Sequence, residues 1–120
     1  MSIDAFRQAY TALHQQLDQF QAIAVQDDPM WMRTSFARIQ QDFQQIVQQF
    51  ESIDLPHPIP ACQTEISKQL RLLGMDVMYL QAAKLSTTAD NRRTQLLDRV
   101  EMLKGFCDTI LSAIPADAPD

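Results

Sequence analysis

The chain has 120 residues, a net charge of −5 and a sequence pI of about 4.8, with 46% hydrophobic and 21% charged residues. That length serves one domain with a single core. The acidic balance argues against nucleic-acid binding over a broad surface, because phosphate neutralisation needs a basic field.

The opening stretch, MSIDAFRQAY, carries neither the basic region nor the apolar core of a secretion signal. Ser2 or Asp4 is placed to cap a first helix. Its apolar seam follows alternating steps of four and three: Phe6, Tyr10, Leu13, Leu17, Phe20 and Ala24. QDDPM then punctuates the chain. Asp28 suits an N-cap and Pro29 the first helical position after it. The second seam runs Met32, Phe36, Ile39, Phe43, Ile46, Phe50 and Ile53. DLPHPIPAC follows, and its alternating prolines predict a stiff extended link. A third seam holds Ile66, Leu70, Leu73, Val77 and Leu80. STTAD offers Thr87, Thr88 or Asp90 as caps. The last seam is Leu96, Val100, Leu103, Cys107, Ile110 and Ile114. PADAPD closes the chain and reads as a disordered acidic tail.

Four amphipathic segments on short connections predict an all-α, up-down-up-down antiparallel four-helix bundle over residues 1–114, with the tail at 115–120. A pair of swapped or dimerised hairpins is the alternative. Gln, Asp, Arg or Lys interrupts every apolar segment, so none is expected to span a membrane.

Little in the chain suggests catalysis. A di-metal bundle site needs Glu-x-x-His pairs on the core face, and His14 and His57 lie off the seams. His14 is expected to be solvated beside the core, and His57 to sit in the proline loop. Cys62 and Cys107 lack metal spacing and suit a reducing cytosol. An antiparallel pairing offsets them by about 7 Å along the axis, so two buried thiols are expected rather than a disulfide. MLKGFC is similar to the His-x-Leu-Lys-Gly run of histidine-phosphotransfer domains. Here, however, Glu101 stands at the acceptor position and the run lies on the last helix. The expectation is a protein that is not an enzyme, has no cofactor, and acts as an adaptor or regulator. A carrier holding a small apolar ligand or cofactor in its core is the competing class.

The third helix carries the unusual pattern. At about 100° per residue from Ile66, Ala82, Met75, Tyr79, Leu72 and Ala83 fall at about 160° to 260°, opposite the seam. A simple bundle helix is polar there. Asp76 and Gln69 border the two stripes. Gly74 lies on the other border, where a missing side chain lets a neighbour approach the backbone. The second stripe has three readings: self-association, contact with another protein, or burial within a less regular fold. Helices 3 and 4 also hold Lys68, Arg71, Lys84, Arg92, Arg93, Arg99 and Lys104, seven of the ten basic residues. Residues 1–60 hold three basic against seven acidic. A mildly basic, partly apolar hairpin suits an acidic protein partner. The expected interface is Leu72, Met75, Tyr79 and Ala83, with Arg71, Arg92, Arg93 and Arg99 alongside.

EISKQLRLLGMDVMYLQAAK and RRTQLLDRVEMLKGFCDTIL, over roughly residues 64–111, resemble the cyanobacterial heterocyst frequency control protein PatD family. The resemblance implies a small cytoplasmic, non-enzymatic regulator that links heterocyst patterning or cell size to division. It implies the tubulin-like protein FtsZ as partner. FtsZ is acidic, which is compatible with the basic hairpin. The resemblance carries over no catalytic residue.

Overall fold

The computed structural model describes residues 3–26 and 28–114. Four helices follow one another: α1 (Ile3–Gln26), α2 (Pro29–Gln49), α3 (Pro58–Ala82) and α4 (Ser86–Ala113). Each packs on its neighbours in chain order, and α4 closes back on α1. The result is the expected four-helix bundle, 53 × 21 × 19 Å. The tail at 115–120 and the candidate cap Ser2 lie outside the described residues.

The heptad rhythm explains the core. Every seam residue of α1 is buried, from Phe6 to Ala24, and so is every seam residue of α4 up to Ile114. The α3 seam is buried throughout, and Ile59 and Cys62 extend it. Phe6 anchors the aromatic end, 4.9 Å from the Tyr10 centroid and 5.3 Å from that of Phe50. Tyr10 has no exposed surface, so its hydroxyl needs a partner. Gln63 Nε2 donates to it at 3.0 Å from the diagonal helix. Burial pushes the Tyr10 phenol up to about 12. Cys62 and Cys107 are free and buried, as expected, and desolvation pushes Cys107 up to about 12 as well.

The helix ends confirm one cap and revise two others. Asp28 caps α2, accepting from the Trp31 amide at 3.2 Å, with Pro29 next in line. The proline-rich stretch is not an extended link throughout. α3 begins at Pro58 and takes Pro60 into its first turn. The first amides of a helix have no intrahelical partner, so a proline there sacrifices no hydrogen bond. α4 likewise starts earlier than the threonine caps predict. Leu85 is its N-cap, and Thr87, Thr88 and Asp90 fall inside the helix. The Leu85 carbonyl accepts from the Ala89 amide at 2.9 Å, which begins the helix without a side-chain cap.

Two positions of the second seam depart from full burial, Phe36 within α2 and Ile53 beyond its end. Ile53 and Phe36 are half-buried against the core. Phe36 leaves the seam because α3 offers it a notch. A Cβ on Gly74 would stand 2.9 Å from Phe36 Cζ. This is the close approach that the glycine in the third helix permits. Gly105 has no such neighbour: nothing lies within 4 Å of its missing Cβ.

Polar ties join the helix pairs. Lys104 on α4 reaches Asp18 on α1 at 2.7 Å. Its hydrogen bond holds the Asp18 carboxyl below the usual range, and the same bond raises the Lys104 ammonium. His14 is not simply solvated. It is half-buried, with Nδ1 3.4 Å from Asp18 and Nε2 3.2 Å from Asp108. His57 is exposed and precedes α3 as its N-cap residue.

Candidate interaction surface

The α3–α4 pair is the most closely packed in the bundle, and its seam contains a buried ion pair. Asp76 and Gln69, about two turns apart on α3, are buried. Arg99 on α4 bridges them, with Nε 2.5 Å from Asp76 Oδ2 and Nη1 2.6 Å from Gln69 Oε1. The expectation that Asp76 and Gln69 merely border two apolar stripes is therefore corrected. They hold α4 in register. Arg99 is also removed from the expected partner surface, since its side chain is only 17% exposed.

Outside this seam the second apolar stripe of α3 faces solvent. Met75 is 42% and Tyr79 44% exposed, so burial in a less regular fold is ruled out for the centre of the stripe. Met78 on α3 and Met102 on α4 are exposed too. Leu72 and Ala83 are half-buried, which narrows the strip to Met75 and Tyr79 with their flanks partly covered. Arg92 on α4 lies over the Tyr79 ring, 4.8 Å from its centroid. A guanidinium at this range is attracted to the ring face. The contact packs the half-buried Arg92 against the ring, and Tyr79 keeps 44% of its surface exposed.

The remaining expected residues divide. Arg71 is exposed on α3. Arg93 is engaged on its own helix, with Nη1 3.1 Å from Asp90. The surface is therefore built by Met75, Tyr79 and Arg92, with Arg71 further along α3. Met102 was not in the expected set, and its exposure follows from its place on the outer face of α4. Among the described residues, no group of three or more His, Cys, Asp or Glu is placed to hold a metal ion, and no helix is long and apolar enough to cross a membrane. Comparison with protein families, curated proteins and solved structures finds no match.

Proposed function

We propose that this chain is a non-enzymatic regulator that works by protein–protein contact through the outer face of the α3–α4 hairpin. The carrying observation is Tyr79, held half-exposed under the Arg92 guanidinium beside the exposed Met75. An ordered aromatic ring offers a large contact area at low entropic cost, and Tyr, Met and Arg are enriched in interfaces. The basic flank from Arg71 and Arg92 favours an acidic partner. The resemblance of residues 64–111 to the PatD family suggests FtsZ as that partner, division or heterocyst patterning as the process, and the cytoplasm of a cyanobacterium as the setting. Self-association through the same strip is the second use of this face. Titration of fluorescently labelled protein against purified FtsZ tests the reading, with sedimentation velocity on the protein alone to detect a dimer. Binding that is lost in Tyr79→Glu, with the fold intact, supports it.

A further inference from the structure

On the opposite flank of α3 the helices behave differently. α2 and α3 are the least closely packed neighbours in the bundle. They are joined at one end, where Phe36 fills the Gly74 notch, Arg33 Nη1 donates to Gln81 Oε1 at 2.9 Å, and Gln81 Nε2 donates to the Pro29 carbonyl at 3.1 Å. Towards the proline-rich turn they separate. An open groove of about 790 Å³ lies between them. The buried side chains of Phe43 and Leu70 reach its floor, and Val47, 38% exposed, stands on one wall. Gln40, Gln44 and Gln48 line the α2 side at four-residue intervals, a span of about 12 Å or two helical turns.

The charge of this groove has one sign. Among the described residues, Lys68 and Arg71 are the only charged ones lining it, and no acidic residue does. Most other cations are occupied inside the protein. Arg99 and Lys104 are ion-paired across helices, Arg33 donates to Gln81, and Arg92 covers Tyr79. Lys68 and Arg71 are exposed and form no ion pair among the described residues. Two uncommitted cations therefore stand beside an apolar floor on a protein whose net charge is −5.

We propose that the α2–α3 groove is a second docking site, and that its occupant is an acidic amphipathic helical segment of a partner protein. The apolar face of such a helix, read at i, i+3 or i+4 and i+7, would lie over Phe43, Val47 and Leu70. Its carboxylates would meet Lys68 and Arg71, and the glutamine amides would face its polar edge. The groove is long enough for about two turns. Arg71 borders both this groove and the Met75–Tyr79 face, so Lys68 and Val47 on one side and Tyr79 on the other tell the two sites apart, and failure of the groove leaves the Met75–Tyr79 reading standing.

The test is selection of a displayed library of random peptides, each long enough for about three helical turns, against the full chain. Fluorescence anisotropy then measures the selected peptides. The expected winners carry spaced apolar residues with Asp or Glu on one edge. Their Kd should rise at least about tenfold in Lys68→Glu, more steeply at low salt. Val47→Asp, which puts a charge on the groove wall at an exposed position, should also weaken binding, with unchanged thermal melting as the control for folding. Selection of basic peptides, or of none, overturns the proposal. So does binding that survives both groove variants or is abolished by Tyr79→Glu, because the peptide would then occupy another surface.

Discussion

Arg99 and Asp76 meet across the α3–α4 seam at 2.5 Å, with side chains 17% and 5% exposed. A buried pair of this kind contributes little net attraction after desolvation, but removing one member strands the other charge. Asp76→Ala should therefore destabilise the protein by roughly 3 to 5 kcal/mol in chemical denaturation. Replacing the whole buried group by apolar residues, as in Gln69→Leu/Asp76→Leu/Arg99→Met, should recover most of that loss, because Gln69 also loses its partner when Arg99 is removed. A single substitution costing under about 1 kcal/mol, the range of an exposed pair, would show that the pair is solvated.

The two glycines should respond oppositely to alanine. Helix propensity alone favours Ala over Gly by about 1 kcal/mol. Gly105→Ala meets nothing within 4 Å and should gain close to that amount. Gly74→Ala brings a methyl to 2.9 Å from Phe36 Cζ, so the ring must shift and the gain should vanish or reverse. Gly74→Ala should become favourable again in a Phe36→Leu background. Equal stabilisation at both glycines would mean that Phe36 does not occupy the notch.

Alkaline stability should be governed by buried acids. The Cys107 thiol rises from 9.0 to about 12 and the Tyr10 phenol from 10.0 to about 12, both chiefly through desolvation. A raised folded value gives stability that is fully present below the unfolded value and is lost as the pH climbs through the folded one. Unfolding free energy should hold below pH 9 as far as these groups are concerned, then fall up to about pH 12. Each group sets a slope of about 1.4 kcal/mol per pH unit where only the unfolded state ionises. Cys107→Ala should flatten this limb while lowering the plateau. An unchanged slope between pH 9 and 10, below the phenol's own range, would contradict the burial of the thiol.

How far the chain announces this architecture depends on the kind of feature. The repeating step of four and three in α1, α3 and α4 is set by helix geometry, so residues such as Leu13, Leu73 and Leu103 could be placed in the core directly. The same periodicity put Met75 and Tyr79 opposite the seam, where they are found. It could not distinguish Asp76 from a solvated border residue. Whether a carboxylate at a helix flank faces water or a partner depends on Arg99, 23 positions away and carried by another helix. Helix starts were obscured for a local reason. Pro58 and Pro60 look like breakers, but a first turn tolerates them. The α2–α3 groove left no mark on the heptad pattern, because it arises from how far two regular helices separate beyond the Gly74–Phe36 contact.

Thiol accessibility checks the core from another side. Cys62 and Cys107 sit on the α3 and α4 core faces, and both are free. They should react slowly with a thiol reagent in the native state and fast after unfolding, and reductant should leave Tm unchanged. Cys62, with 9% of its surface exposed, should label before Cys107, which has none. Fast native labelling of Cys107 would contradict its placement.

The most direct measurement of the contact surface is the affinity of Tyr79→Glu for FtsZ, the partner proposed above, beside that of the unaltered chain, with thermal melting and sedimentation velocity on both. Tyr79 is 44% exposed, so the substitution should leave Tm within a few degrees. It should also weaken FtsZ binding at least about tenfold, or about 1.4 kcal/mol. Met75→Asp should act in the same direction, and charge reversal at Arg71 or Arg92 should weaken binding more at low salt than at high salt. A folded Tyr79→Glu protein with unchanged FtsZ affinity and unchanged sedimentation would contradict the proposal that this face of the hairpin is where the protein acts.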